Sequence, residues 1–256
     1  MKILLLGCDG QVGWELQRSL QPLGDVVALD FQSRDLAADF SKPDALAATV
    51  AAVKPDLIVN SAAHTAVDKA ESEPELAQAI NADAPGVLAR AAAASGAWLV
   101  HYSTDYVFDG SGDQPRGEDA STAPLSVYGR TKLDGERQIR ASGCKHLILR
   151  TSWVYAARGG NFAKTMLRLA GTKTEMNVID DQVGAPTGAE LLADLTALTA
   201  RAAIARPELA GTYHAVRSAS SSAPVGAPIW SSITLSSDFE PASFSIVLAK
   251  LPPRAA

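Results

Sequence analysis

The first thirteen residues constrain the fold most. Lys2-Ile3-Leu4-Leu5-Leu6 is a continuous apolar run ending at a glycine, as expected of a central parallel strand covered on both faces. Gly7-Cys8-Asp9-Gly10-Gln11-Val12-Gly13 follows as a G-x-x-G-x-x-G loop, and Val12, Leu16 and Leu20 then recur at helical spacing. A tight turn alone would account for the glycines. Between a first strand and a first helix, however, they let the backbone approach a pyrophosphate seated on the helix N-terminus. Gly7, Gly10, Gln11, Val12 and Gly13 are therefore candidate dinucleotide contacts, although the spacing differs from the G-x-G-x-x-G form.

Further segments continue the pattern. Val26 to Leu29 reads as a second strand with Asp30 at its carboxyl end, where an acid commonly grips a ribose 2′-hydroxyl. Asp30 could instead cap a turn, and the nearby Arg34 could accept a 2′-phosphate, so NADH and NADPH both stay open. Asp39-Phe40 precedes a helix over 43–53, and Phe40 either covers an adenine or staples that helix. Residues 56–60 form another buried strand. The small residues Ser61, Ala62 and Ala63 beyond it leave room for a ligand, while His64 reads as a packed loop residue rather than a catalyst. Residues 74–94 predict one long alanine-rich helix, and 98–102 the next strand. The order β-α-β-α-β-α-β specifies an α/β fold with a Rossmann-type doubly wound parallel sheet.

Chemistry enters after that strand. Thr104 lies just past its end, facing the crevice above the sheet, and could be an ordinary turn residue. Tyr128 and Lys132 stand four residues apart and share a helix face. An ammonium held close to a phenol should bring its pKa down and make it usable as a general acid or base. Together, Thr104, Tyr128 and Lys132 make a Ser/Thr–Tyr–Lys constellation suited to holding a hydroxyl or carbonyl against a nicotinamide ring.

Composition excludes other classes. The net charge of −5, with no Lys/Arg stripe to offset it, argues against a nucleic-acid partner. No apolar run approaches the ~20 residues of a membrane span, and Met1-Lys2 leads directly into a strand rather than a signal peptide. No membrane partner is expected. Cys8 and Cys144 form no CxxC pair, which fits a reducing, cytoplasmic setting, and metal-ligand spacing of His and Cys is absent.

The stretches GCDGQVG, SAAHTAVDKAESEPELAQAINADAP, HYSTDYVFDG, YGRTKLDGE, RTSWVY, NFAKTMLRLA and DDQVGAPT, spread over roughly residues 1–214, resemble the dTDP-4-dehydrorhamnose reductase family of extended short-chain dehydrogenases/reductases. The resemblance implies reduction, with NADPH or NADH, of the C4 keto group of dTDP-4-dehydro-L-rhamnose to dTDP-L-rhamnose, for a bacterial surface polysaccharide. Tyr128 would protonate the developing C4 alkoxide, Lys132 would lower the Tyr128 pKa and bond the nicotinamide ribose, and Thr104 would position the sugar. By the same resemblance Asp105, Tyr106 and Trp153 line the sugar site, with Val67 and Thr65 at its edge. Asp30, Asp39, Phe40, Ala62, Ala63 and Thr65 join the glycine loop, Tyr128 and Lys132 in the cofactor site. For Trp153 alone, packing between domains is the simpler reading. Related 4,6-dehydratases carry Asp-Glu after the Ser/Thr, whereas here Asp105-Tyr106 follows, which favours a plain reductase. Two alternatives are a non-catalytic dinucleotide-binding regulatory subunit, like that of methionine adenosyltransferase, and a nucleotide-sugar epimerase. A homodimer and a Mg²⁺ ion between acidic side chains at a subunit contact stay open.

The expected organisation is a dinucleotide-binding domain over 1–150 and a small substrate lobe over 151–214. Helices are predicted over 161–170 and 188–201, with strands at 176–178 and from 211, and a loop over 180–187. Residues 215–256 hold ten serines and five prolines and show no sustained period. The family pattern expects more helix there, and a reading-frame change near codon 215 would produce such a tail.

Overall fold

The structure, a computed structural model, describes residues 1–112, 114–170 and 184–216. The strand expected at 176–178, residues 180–183 of the 180–187 loop and the Ser/Pro-rich tail from 217 onward lie outside the described residues.

The chain runs β1 (Lys2–Leu6), α1 (Gln11–Ser19), β2 (Asp25–Leu29), α2 (Asp44–Val53), β3 (Leu57–Asn60), α3 (Val67–Ser72) and α4 (Pro74–Gln78). It continues α5 (Ala84–Ser95), β4 (Trp98–Thr104), α6 (Val127–Ala141), β5 (Lys145–Thr151), β6 (Val154–Tyr155), α7 (Phe162–Ala170), β7 (Thr187–Gly188), α8 (Ala189–Ala205) and β8 (Gly211–His214). Six strands form one sheet in the order β2-β1-β3-β4-β5-β8, and every pair is parallel. From β1 the chain passes first to β2 on one side and then to β3 on the other. The switch point, where open α/β sheets bind ligands, therefore lies above the carboxyl ends of β1 and β3. β6 and β7 pair separately.

The continuous apolar runs become strands with both faces covered. Leu4, Leu6, Ile58, Leu99 and Ile148 pack with α2, α5 and Ile139 of α6; Ile3, Leu5, Leu57, Val59, Val100, Leu147 and Leu149 pack with α1 and α8. On the second face Asp194 of α8 accepts from Arg18 at 2.8 Å and from Ser19 at 2.5 Å, pinning α8 to α1. Ala215, just past β8, is buried and donates its N–H to the Arg150 carbonyl.

The expected long helix over 74–94 is interrupted. α4 passes into a π-helical turn, Ala79–Asp83, before α5 begins. Such a turn adds a residue to the helical repeat and re-aims side chains. Here it buries Asn81, whose Oδ1 accepts from His64 N at 2.9 Å while Nδ2 donates to the His64 carbonyl and to Thr131 Oγ1. The loop after β3 is thus clamped to α6. His64 is packed as expected, its Nε2 3.5 Å from Glu73.

Candidate active site

The glycine loop bends as its sequence requires. Gly7 has φ +83°, a conformation other residues rarely adopt, and a Cβ there would lie 2.7 Å from the Ala62 nitrogen. A Cβ on Gly13 would run into the Gly7 carbonyl, so this glycine sets how closely α1 approaches β1. Gly10 is exposed and serves as the N-cap of α1, which carries no side-chain cap. An uncapped helix N-terminus above a tight glycine turn fits a diphosphate. Gln11 and Val12 open the helix, and Gln11 accepts from Asn161, part of a loop that crosses this end of α1. In the same loop the Arg158 guanidinium stacks on Trp14, 3.7 Å from the ring centre.

At the end of β2, Asp30 makes local turn bonds to Ser33 and Gln32. It also faces Asp9; the pair shares a hydrogen bond that draws Asp30 below, and Asp9 above, the usual carboxylate range. Asp39 caps its own turn through Ser41. Phe40 is buried with Leu46 and Val50 of α2, as a staple on that helix would be. Ala62 and Ala63 are partly exposed next to Gly7, and Thr65 is exposed just before Val67, the first residue of α3.

α6 carries Tyr128 and Lys132, the candidate catalytic pair. Ser126 caps it, accepting from Gly129 N at 3.0 Å, and Glu71 accepts the Val127 N–H at 2.7 Å. A Cβ on Gly129 would collide with the Tyr106 carbonyl. The glycine after Tyr128 thus lets the first turn of α6 close on the segment that follows β4. That contact sets the Tyr128 ring edge-on to Tyr106, with centres 5.6 Å apart, and beside Thr104. Thr104 is held in turn: its hydroxyl donates to Asp105 Oδ1 at 3.1 Å and accepts from Tyr106 N at 3.2 Å. Asp105 Oδ2 accepts from Ser152 at 2.6 Å, so both carboxylate oxygens brace neighbouring hydroxyls.

The electrostatics differ from the sequence expectation. Burial pushes Tyr128 up to about 12, against a smaller downward pull from the Thr104 hydroxyl. The phenol is raised, not lowered, because desolvation outweighs any help to the phenolate. Burial also lowers Lys132 to about 8, opposed by Glu136. Lys132 Nζ donates to the Tyr102 carbonyl at 2.7 Å and lies 3.3 Å from His101 Nε2.

Beneath these residues lies a polar strip that sequence reading missed. Asn60, His101, Ser103 and Arg150 occupy the α6-facing positions at the carboxyl halves of β3, β4 and β5, and all are buried. Arg150 gives Glu136 two bonds, at 2.9 and 2.8 Å, and Arg140 adds a third at 2.7 Å. The available signal was a polar residue at the last inward position of each otherwise apolar strand.

Trp153 has φ +44°, uncommon for a bulky residue and costly unless neighbours enforce it. Its ring lies against Gly184, where a Cβ would come within 2.6 Å, and its carbonyl accepts from Thr187 of β7. The structure thus gathers Thr104, Tyr128, Lys132, Asp105 and Tyr106 at the carboxyl ends of the strands, with the glycine loop and Ala62 at the adjoining switch point. Asp30 and Asp39 stand further out, beyond β2. Among the described residues, no group of three or more His, Cys, Asp or Glu side chains could hold a metal ion, and no helix is long and apolar enough to cross a membrane.

Comparison with known proteins agrees with this geometry. Residues 1–237 match the family model described as the RmlD substrate binding domain. A dTDP-4-dehydrorhamnose reductase of Escherichia coli K12 is 61% identical over 218 residues, which is 85% of this chain and 73% of that protein. One from Burkholderia thailandensis is 51% identical over 213 residues, covering 83% and 70%. Among solved structures, a dTDP-4-dehydrorhamnose reductase from Clostridium acetobutylicum superposes with a TM-score of 0.77 at 41% identity, covering 86% of this chain and 75% of the other. The Bacillus anthracis reductase, solved in complex with NADP, gives 0.75 at 36% identity, covering 85% and 76%. With a family model matching residues 1–237 and reductases up to 61% identical over most of its length, this chain, with its parallel sheet, its switch-point glycine loop and its Thr–Tyr–Lys cluster, belongs to the dTDP-4-dehydrorhamnose reductase family.

Proposed function

We propose that this protein reduces the C4 keto group of dTDP-4-dehydro-L-rhamnose to dTDP-L-rhamnose, using NADPH or NADH. The observation that carries the reading is the placement of Thr104 and Tyr128 side by side, one helical turn from Lys132, above strands whose neighbouring loop fits a diphosphate. The nicotinamide cofactor supplies the hydride. Gly7 and Gly13 would leave room for its diphosphate at the N-terminus of α1, and Asp30, just past β2, would take the adenosine ribose.

The chain's own residues handle the proton. Tyr128, raised to about 12, stays a phenol at neutral pH, the form that can donate to a developing C4 alkoxide. Thr104, oriented by Asp105 and the Tyr106 N–H, holds the carbonyl oxygen next to that phenol. Lys132 in its ammonium form stabilises the phenolate left behind. Burial of the site keeps these donors oriented before reaction, so little reorganisation is needed. Trp153, fixed in a strained backbone at the entrance to the β6–β7 pair, and Tyr106 offer ring faces to the sugar. Two free cysteines and a reductive biosynthetic reaction support a cytoplasmic setting.

The decisive experiment follows loss of nicotinamide absorbance with and without dTDP-4-dehydrorhamnose. Oxidation that requires the keto sugar supports the reading. Cofactor that binds but is never oxidised in the presence of the sugar would overturn it.

A further inference from the structure

A line of buried polar groups joins the glycine loop to Lys132. Asn60 and His101 face each other in register across β3 and β4, each 1% exposed. The Ala62 N–H, at the backbone that Gly7 packs against, donates to Asn60 Oδ1 at 3.1 Å. This bond fixes the amide orientation, because the opposite one would set two donors against each other. Asn60 Nδ2 is then the group 3.0 Å from His101 Nδ1, so it donates and Nδ1 accepts. A neutral imidazole that accepts at Nδ1 carries its proton on Nε2. That Nε2–H meets Lys132 Nζ at 3.3 Å. An ammonium has no lone pair, and the contact is a hydrogen bond only when Nζ is a neutral amine, accepting from His101 while donating to the Tyr102 carbonyl at 2.7 Å.

We propose that Asn60 and His101 are positioning residues that favour the neutral amine of Lys132 in the unliganded protein, so that at mildly alkaline pH dinucleotide binding, by drawing Nζ from His101 to a ribose hydroxyl, is accompanied by proton uptake at Lys132. The inference rests on the dinucleotide reading given above. It places a proton switch at the junction of cofactor binding and chemistry: on the alkaline side, the ammonium needed beside Tyr128 is restored as the cofactor arrives.

The surrounding charges are consistent with it. From α6, Glu136 favours the ammonium, but its carboxylate is saturated by Arg150 from β5 and Arg140 from α6. Tyr128 stays neutral on the same helix. Asn60 from β3, and Asn81 and Thr131 across the π-turn contact, bring no charge. Burial disfavours both cations: Lys132 falls to about 8, and His101 is held well below the usual imidazole range.

Two measurements on the unmodified full chain test the proposal. Nitrogen NMR of protein labelled in histidine, with His101 assigned by its loss in His101→Gln, should show the Nε2–H tautomer. An Nδ1–H tautomer or an imidazolium overturns the proposal whether or not any cofactor binds. Calorimetric titration with NADPH in buffers of different ionisation enthalpy, about a unit above the Lys132 value of about 8, should show uptake approaching one proton per site. Binding without uptake overturns the proposal while leaving the reductase reading intact, whereas failure of NADPH to bind defeats that reading instead. In Asn60→Asp the carboxylate would accept from Nδ1–H, turn Nε2 into an acceptor and keep Lys132 charged. Proton uptake should then vanish and the alkaline fall in NADPH affinity should move up by a unit or more. A variant that folds, by its thermal transition, yet titrates like the parent would also overturn the proposal.

Discussion

The two faces of the sheet are built from the same strands and do different work. On the α1/α8 side, Val59, Val100, Leu147 and Leu149 keep the face apolar toward the strands' carboxyl ends, and Tyr102 there bonds Thr196 of α8 at 2.6 Å. On the α6 side, apolar Ile58, Leu99 and Ile148 give way to Asn60, His101, Ser103 and Arg150. The first face earns stability from area removed from water. The second gives up part of that gain to bury charges, and charges out of water are where pKa values can be moved. One strand alternates between the two roles residue by residue, so a single sheet is core on one side and the floor of the candidate active site on the other.

That contrast can be broken at several points. Tyr128→Phe, which removes the proposed proton donor but keeps the ring, should lower kcat by about 10²- to 10⁴-fold. NADPH affinity by fluorescence titration should change less than about twofold, since the phenol oxygen is the sole group lost. Glu136→Gln strips the negative partner from buried Arg150 and should cost about 3–5 kcal/mol in urea unfolding, with a fall in activity as α6 shifts. Leu149→Ala on the opposite face should cost about 2–4 kcal/mol while the folded molecules keep their kcat. If Leu149→Ala abolished turnover as fully as Glu136→Gln, the division of labour between the faces would be wrong.

Lys132 sharpens the comparison through pH. Its folded value of about 8 lies below its ordinary value of 10.5, so between those limits the unfolded chain binds more protons than the folded one. Stability should therefore rise as pH goes from about 8 to about 10.5, the folded state having shed the buried charge. Lys132→Met should flatten that rise in thermal scans and raise stability at neutral pH, while turnover is lost. The smallest effect belongs outside both faces. Trp14→Ala should remove only the stacking partner of exposed Arg158, about 0.5–1 kcal/mol, visible as a slightly weaker cofactor affinity.

The framework was legible because its signals are local. Lys2–Leu6 and Leu57–Asn60 read as buried strands from their apolar runs, Gly7 and Gly13 from their place between strand and helix, and Tyr128 and Lys132 from helical spacing. What was not legible depends on partners distant in sequence. His101 and Asn60 read as ordinary strand residues, since nothing nearby says that His101 meets a buried lysine from α6 or that Asn60 pairs with His101. The direction of the Tyr128 shift was missed for the same reason: spacing supplies the lysine, but burial, which decides the sign, comes from the whole fold. The π-turn at Ala79–Asp83 leaves only Pro85-Gly86 as a local sign of a break, and the bonds of Asn81 to His64 and Thr131 reveal what it does.

The docking of α8 and β8 has a consequence in time. Arg18 and Asp194 meet across 176 residues, and β8 joins β5 only after residue 214 has been made. A chain leaving the ribosome can pair β1 to β5 early, yet Val100, Leu147 and Leu149 stay uncovered until α8 arrives. Parallel sheets with such distant closures fold slowly, and their half-built forms aggregate. The longer that bare surface waits, the lower the expected yield of folded protein, which ties the folding of this chain to the speed of translation through α8.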